Sequence, residues 1–296
     1  MHELDRRHWS WRSGECRAGG HSFEVLCEPS GLDELLGPIT SSLRVRAHRH
    51  GELPCYRLLG SPQGPPYALY FDDRRVRVAS DPRTLVRFLA WHVNQRMIDS
   101  TSSTHVVFHA AAAVRAGLTL LLPGDQERGK TTTVAGLLRE GYDYVTDEAT
   151  AVHPATLHVE LFPKALSLDP GSWGLFRDCG LPSPPPGSTT PNDQCQVPAR
   201  QLGANVARGP ARPPRLIVFP HFLAGSRTES IRLSAAEAVR DLALCSFHFE
   251  EHPARNLRVA ADLVRGADVV RLRIGDLDGA VEAIEGLVSQ TLMREL

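Results

Sequence analysis

The residues whose spacing most clearly predicts chemistry form the segment Gly124–Thr131, Gly-Asp-Gln-Glu-Arg-Gly-Lys-Thr. It fits the pattern G-x4-G-K-[ST], in which glycines let backbone N–H groups point inward at phosphate oxygens. In such a loop Lys130 reaches the β and γ phosphates of a nucleotide, and the Thr131 hydroxyl ligates Mg²⁺. The pattern therefore predicts a P-loop that binds ATP and Mg²⁺. The alternative is an ordinary strand-to-helix turn.

The sequence around this loop supports the first interpretation. The apolar run 118–122 precedes it, and Val134, Leu137 and Leu138 follow at helical spacing. A helix that begins at the loop also directs its positive N-terminal end at the bound anion. We therefore expect the nucleotide to contact the loop and the first helical turn, comprising Gly124, Asp125, Gln126, Glu127, Arg128, Gly129, Lys130, Thr131 and Thr132.

The acidic pair Asp147-Glu148 is the second candidate, because it ends a short strand predicted at 144–146. In a P-loop domain a carboxylate in this position commonly faces the phosphates and holds the metal. A kinase also needs a carboxylate that orients or deprotonates the acceptor hydroxyl. A helix cap or a solvated pair is the alternative.

Lysine is rare in this chain. Only Lys130 and Lys164 occur among 33 Lys and Arg residues. A planar guanidinium does not replace a compact ammonium in a tight phosphate site, so we expect a role for Lys164 as well. An ammonium there could reach the transferring phosphoryl group, whereas chance placement is the alternative. His109 ends a predicted strand at 106–109, and its apolar neighbours are more typical of a core histidine.

The composition limits the classes of function. Lys and Arg (33) nearly balance Asp and Glu (34), so no net field recruits nucleic acid or an anionic membrane. The N-terminal segment has no apolar stretch of the kind found in secretory signals, and no run is long enough to span a bilayer. The six cysteines form no CxxC pair, and we expect reduced thiols in a cytoplasmic protein, Cys179 and Cys195 included.

Strands that alternate with helices predict an α/β protein. Residues 1–100 carry strand patterns at 21–27, 43–48, 55–59 and 67–71 and a helix at 82–97, which we interpret as an accessory domain. Residues 101–296 hold the P-loop, one or two strands at 158–168, strands at 216–219 and 269–274, and helices after Ser234, at 254–265 and at 277–292. Ser234 and Glu237 form a capping box, and Gly266 is the expected left-handed helix cap.

Residues 170–214 are rich in Pro, Gly, Ser and Arg, and predict a long loop without regular structure. We expect it to contact the phosphate acceptor. An inert insertion is the alternative.

Four segments together resemble the HPr serine kinase group, relatives of ATP-dependent phosphoenolpyruvate carboxykinase. They are Phe108-His109-Ala-Ala-Ala-Val, the P-loop, Gly141-Tyr-Asp-Tyr-Val-Thr-Asp147-Glu148 and Phe162-Pro-Lys164-Ala-Leu-Ser-Leu. Segments 216–221 and 233–238 are similar to the divergent HPr-kinase-related branch. The resemblance covers about residues 105–275. It implies an α/β fold whose P-loop core is HPr-kinase/PEP-carboxykinase-like, with a smaller N-terminal accessory domain.

The resemblance also implies an activity, namely transfer of the ATP γ-phosphate to a serine hydroxyl of a small protein or peptide. By carry-over, Asp147 matches the general base, Glu148 a Mg²⁺ ligand and His109 the active-site histidine. The pair is Asp-Glu rather than Asp-Asp, and Glu127 stands where the family often has glycine. The segment after Lys164 lacks the signature of the bifunctional enzymes, so we expect no phosphorylase activity.

Two further functions fit the sequence. One is a small-molecule kinase, and the other is a nucleotide-binding regulatory or scaffold protein that transfers no phosphate. The partners expected are ATP and a small protein, peptide or metabolite acceptor, with no nucleic acid and no membrane. A homo-oligomer is compatible with the sequence.

Overall fold

The protein is a mixed α/β protein with two main mixed sheets, each the centre of an α/β body. The structure is a computed structural model and describes residues 4, 7–28, 31–45, 52–61, 64–181 and 194–294 of the 296. No helix in these residues is long and apolar enough to cross a bilayer. All six cysteines are free thiols, as expected, including Cys179 and Cys195.

The first body is built on a sheet in which β1, β3, β4, β5 and β6 are neighbours in that order, while β2 pairs with β3. Strands β3 and β4 are parallel, and the other pairs are antiparallel. The elements are β1 (Trp11–Arg12), β2 (Cys16–Ala18), β3 (His21–Glu28), α1 (Asp33–Ser41), β4 (Cys55–Ser61), β5 (Gly64–Phe71), β6 (Arg74–Ala79) and α2 (Pro82–Ser102).

The second body carries the predicted site. Its elements are β7 (Val106–Arg115), β8 (Leu118–Pro123), α3 (Lys130–Arg139), β9 (Asp143–Thr146), β10 (Ala149–Val152), β11 (Leu166–Leu168), α4 (Pro170–Trp173), β12 (Cys195–Val197), β13 (Leu216–Phe222), β14 (Glu229–Arg232), α5 (Ala235–Leu244), α6 (Pro253–Gly266), β15 (Asp268–Ile274) and α7 (Leu277–Met293). Its sheet has the order β10-β7-β8-β13-β15-β14, and β9 also pairs with β7. Strands β8, β13 and β15 are parallel.

Helices cover both faces of this second sheet. Successive residues of a strand point to opposite faces, so neighbouring residues of β7 pack against different helices. In β7, Ala111 and Ala113 pack in one cluster with α3 and α7. Ala110 and Ala112 pack in another cluster with α5 and α6. The central strands are therefore apolar on both faces, and polar side chains gather at the strand ends.

The packing of α3 against α7 is close at Gly136. A Cβ atom added there would lie 2.7 Å from Cδ1 of Leu277 and 3.0 Å from Cγ2 of Val281. Helix α3 begins at the P-loop, so this contact helps to fix where the helix directs its N-terminus.

The two bodies share a hydrophobic cluster. Helix α2 contributes Leu85, Leu89 and Met97, while Val107 and Phe162 come from the second body. Helix α2 also runs through position 100, where the sequence analysis set the domain boundary.

Most predicted elements are confirmed, including the helices at 82–97 and 277–292 and the capping box of Ser234 with Glu237. Helix α6 stops at Gly266 as predicted, but the predicted left-handed cap there is wrong, because the cap residue is Ala267 in an extended conformation with φ −132°. Of 158–168 only Leu166–Leu168 is a strand; Val159 makes isolated bridges to Val152 and Ala211. Of 43–48, residues 43–45 contain only a bridge from Arg44 to Cys16, and 46–48 lie outside the described residues.

The prediction of a structureless loop at 170–214 is wrong for the part that the structure describes. Residues 170–181 and 194–214 include α4, β12 and two 3-10 helices (Gly174–Cys179 and Ala199–Leu202). Trp173, Phe176 and Val197 are buried in the core between this segment and α3. These apolar residues are scattered among Pro, Gly and Arg, so no periodicity revealed them. Residues 182–193 lie outside the described part.

Candidate functional site

The segment predicted as a P-loop connects β8 to α3 at the carboxyl end of β8, where the sequence placed it. Gly129 is the N-terminal cap of α3 in a left-handed conformation with φ +90°. Glu127 also has a positive φ, +61°, although it carries a side chain. A left-handed conformation costs about 1–2 kcal/mol for a residue other than glycine. This explains why a glycine is the better-suited residue where Glu127 stands.

Lys130 places its ammonium inside this loop. The side chain is buried, and Nζ donates a hydrogen bond of 2.7 Å to the carbonyl oxygen of Asp125. Burial lowers the pKa of Lys130, and the charges of neighbouring acidic side chains oppose this shift. The loop therefore holds a positive charge at the N-terminus of a helix, an arrangement that favours phosphate.

Asp147 lies beside the loop and is almost completely buried, at 1% exposure. Its Oδ1 accepts hydrogen bonds from the hydroxyl of Tyr144 at 2.9 Å and from Nζ of Lys164 at 2.8 Å. Its Oδ2 accepts from the backbone N–H of Ser167 at 3.2 Å and from the hydroxyl of Thr131 at 3.5 Å. Both carboxylate oxygens are thus engaged, and one of them faces the predicted metal-ligating hydroxyl.

Glu148 differs from Asp147 in its surroundings. Its side chain is 36% exposed and pairs with Nζ of Lys164 at 3.2 Å. The next residue in the chain, Ala149, begins β10, which pairs with β7 so that Ala149 lies opposite His109. Glu148 therefore presents a carboxylate to the open side of the site.

Lys164 lies between the two carboxylates. Its ammonium also donates to the carbonyl of Ala165 at 3.3 Å. Burial by itself would lower the pKa of Lys164, but the charges of Asp147 and Glu148 outweigh burial and raise it. The side chain is therefore a buried ammonium that compensates the acidic pair. The sequence analysis singled out this residue, and its predicted contact with a transferring phosphoryl group stays a prediction.

His109 is a further predicted residue at this place. Its backbone N–H donates to the carbonyl of Cys245 at 2.6 Å, and its ring centroid lies 5.7 Å from that of Phe247. Burial, followed by the nearby charge of Lys130, lowers the pKa of His109 to about 4. At neutral pH the imidazole is uncharged and can donate one hydrogen bond without adding a positive charge.

These side chains surround one cavity of about 320 Å³. Its walls come from His109, Gln126, Glu127, Gly129, Lys130, Thr131, Thr132, Asp147, Glu148, Ser167, Asp169 and Gln194. The structure thus brings together the loop, the acidic pair and the histidine. Lys164 lies behind the acidic pair, and the Arg128 guanidinium contacts Nδ1 of His221 instead of the cavity.

Ser167, Asp169 and Gln194 are cavity residues that the sequence analysis missed. The amide of Gln194 donates to Oδ1 of Asp169 at 3.0 Å. Strand β11 pairs with β12, which brings residue 194 to the cavity across a long sequence separation. Their only signal in the sequence was that Ser167 and Asp169 alternate with each other shortly after Lys164.

The donor atoms at the site suit Mg²⁺, which usually binds through one or two carboxylates, substrate phosphates and waters. Thr131, Asp147 and Glu148 would supply the protein ligands. No cluster of three or more His, Cys, Asp or Glu side chains able to hold a metal occurs in the described part of the chain. A metal here would therefore depend on the phosphates for its remaining ligands.

In comparison with known proteins, no family model matches the chain, and no curated protein is significantly similar to it.

Proposed function

We propose that this protein is an ATP-dependent phosphotransferase that transfers the γ-phosphate to a hydroxyl group. The observation that carries the proposal is that Lys130 and Thr131 of the loop share one cavity with Asp147, Glu148 and His109. An ordinary strand-to-helix turn needs no acidic pair and no buried ammonium beside it. The resemblance to the HPr serine kinase group supports a P-loop core of that type and a serine of a small protein or peptide as acceptor.

The chemistry proposed follows from the charges at the site. The acceptor oxygen forms a bond to the γ-phosphorus, the bond from that phosphorus to the β,γ-bridging oxygen breaks, and ADP leaves. Lys130 and the N-terminus of α3 stabilise the negative charge on the phosphates. Mg²⁺, when bound, would neutralise charge on the β and γ oxygens. The acceptor proton passes to a carboxylate of the acidic pair.

The contacts of the two carboxylates favour one division of their roles. Asp147 faces the hydroxyl of Thr131 and has both oxygens engaged by neighbours, which suits a fixed ligand of the metal or its waters. Glu148 is more exposed and faces the open cavity, which suits a base. On these contacts we propose Glu148 as the base. The resemblance implies the opposite division of roles, and the experiments therefore test both residues.

One observation favours a second candidate, a nucleotide-binding regulatory protein without phosphotransfer. Lys164 pairs with both carboxylates, and a base that stays paired with an ammonium is a weak one. This candidate keeps the same nucleotide site and differs only in turnover.

The experiment is to incubate the protein with Mg-ATP labelled in the γ-phosphate and to follow label in serine-containing peptides and in released phosphate. We expect the parent protein to transfer the label and the Lys130→Ala variant to transfer less of it. Because a hydrogen bond to a charged group contributes roughly 1.5–3 kcal/mol, that variant should also bind Mg-ATP about 10- to 150-fold more weakly by calorimetry. Binding without any transfer would favour the regulatory protein. Unchanged affinity in a folded Lys130→Ala variant would reject the nucleotide site itself.

A further inference from the structure

Two large apolar side chains lie exposed at the end of β13, next to the P-loop. Phe222 is 49% exposed and Leu223 is 52% exposed. Strands β13 and β8 are parallel neighbours, with Leu216 opposite Leu120. Their carboxyl ends therefore meet at one edge of the sheet, where ligands of open α/β sheets bind.

Phe222 is attached directly to the rim of the loop. Its backbone N–H donates to the carbonyl of Arg128 at 3.3 Å. A Cβ atom added to Gly129 would lie 3.4 Å from Cβ of Phe222, which is van der Waals distance. Phe222 therefore lies directly beside Arg128 and Gly129 of the loop.

The positions of Phe222 and of the acidic pair indicate along which line a bound nucleotide would extend. The sheet order is β10-β7-β8-β13, and Asp147 follows β9, which pairs with β7. The acidic pair thus lies on one flank of the loop and Phe222 lies on the other. A nucleotide with its terminal phosphate at the acidic pair would extend its ribose and base toward β13.

The backbone around the two residues is held in place. The N–H of Leu223 donates to the carbonyl of Ile274 at 2.9 Å, and His221 contacts the guanidinium of Arg128. An aromatic ring on a fixed strand end can bind a planar partner at little cost in conformational entropy.

We propose that Phe222, flanked by Leu223, is the surface on which the nucleobase of the bound nucleotide stacks. The inference rests on the proposed nucleotide site and adds its base-binding part. Stacking on an aromatic ring tolerates every base, because each base has a π-face. We therefore expect the protein to bind Mg-ATP and Mg-GTP with similar affinity.

The test compares two ligands, Mg-ATP and Mg-tripolyphosphate, which carries the phosphates without a base. Calorimetry should show that Phe222→Ala weakens Mg-ATP binding by about 5- to 50-fold and leaves Mg-tripolyphosphate binding unchanged. Phe222→Trp should retain Mg-ATP affinity. Its added indole fluorescence, measured against the parent protein, should change with Mg-ATP and not with Mg-tripolyphosphate.

Trp91→Ala is the matched control, because Trp91 is an aromatic residue of similar exposure (53%) on α2 in the first body. It should change neither affinity. Unchanged Mg-ATP binding in Phe222→Ala would overturn the inference. Equal losses for both ligands would overturn it too, since Phe222 would then support the loop rather than the base. Lys130→Ala separates the two proposals, because it must weaken both ligands if the phosphate site is correct, whatever Phe222 does.

Discussion

The ammonium of Lys164 lies 2.8 Å from Oδ1 of Asp147, and both side chains are almost completely buried. The same ammonium is 3.2 Å from Glu148. Two carboxylates close together repel each other unless a cation compensates them. Lys164 supplies that compensation from within the chain, so it stabilises the site whether or not a metal is bound.

Removal of this ammonium should strongly destabilise the protein. Breaking one side of a buried ion pair typically costs about 3–5 kcal/mol, because it leaves an uncompensated charge. We expect a loss of this size in the free energy of unfolding of Lys164→Ala, measured by urea denaturation. The double variant Lys164→Ala with Asp147→Asn should lose less than the sum of the two single losses.

The control for this cycle is an exposed ion pair, Arg265 with Asp262 on α6. Arg265→Ala should change stability by less than about 1 kcal/mol. Equal, small losses in Lys164→Ala and Arg265→Ala would contradict the role of Lys164.

The acidic pair should separate into two roles in kinetics. Glu148→Gln removes the proposed base and should slow phosphotransfer by about 10²- to 10⁴-fold, with Mg-ATP affinity within several-fold of the parent. Asp147→Asn should mainly raise the Mg²⁺ concentration needed for half-maximal activity. A titration of rate against Mg²⁺ for both variants distinguishes them. Loss of rate in Asp147→Asn at saturating Mg²⁺, with Glu148→Gln active, would return the base to Asp147.

His109 should make stability depend on pH. Its pKa in the folded protein is about 4, below the value of about 6.5 expected in the unfolded chain. Between these values the unfolded chain binds the extra proton, so stability is complete above about pH 6.5 and falls as the pH drops toward 4. His21, whose pKa burial also lowers to about 4, acts in the same direction.

The measurement is urea denaturation at pH 7 and at pH 4.5. His109→Gln should reduce the loss of stability between the two conditions by an amount on the order of 1 kcal/mol, after allowance for solvent screening. The same pH dependence in His109→Gln as in the parent would show that His109 does not contribute.

Gly136 and Gly286 offer a matched pair of helical glycines. An added methyl group at Gly136 would press on Leu277 and Val281, whereas Gly286 has nothing within 4 Å. Gly286→Ala should stabilise the protein by roughly 0.5–1 kcal/mol, as expected for alanine in a helix. Gly136→Ala should forfeit that gain and destabilise by about 1 kcal/mol through overpacking. Thermal unfolding of both variants checks this. An equal gain in stability at both positions would show that α7 shifts without cost to make room for the added methyl group.

The parts of the site that depend on local sequence were predictable. The P-loop and its flanking strand and helix follow from glycine spacing and apolar periodicity, which are properties of neighbouring residues. Lys164 was found through the rarity of lysine and through the resemblance of its segment. Its contact with Asp147 depends on the chain reversing between β9 and β11, and residue spacing gives no information on that.

Several of the missed elements have exposed or polar sequences. Strand β14 is exposed along its length, and β6 carries three arginines beside the alternating Val76 and Val78, so neither has the apolar run of a core strand. Helix α1 contains Pro38, which argues against a helix in sequence reasoning. Strand β10 was missed for another reason. It begins directly after Glu148, and no turn residue separates it from the acidic pair.

The close approach of Leu277 and Val281 to Gly136 sets an order of events during synthesis. The helix that starts at Lys130 has its packing surface completed by residues about 140–150 positions further along the chain. Until residue 281 has left the ribosome, α3 lacks the packing surface that Leu277 and Val281 provide. On the proposed nucleotide site, a nascent chain that already carries the whole glycine-rich loop should therefore hold phosphate weakly. Tight binding should appear only when the last helix docks.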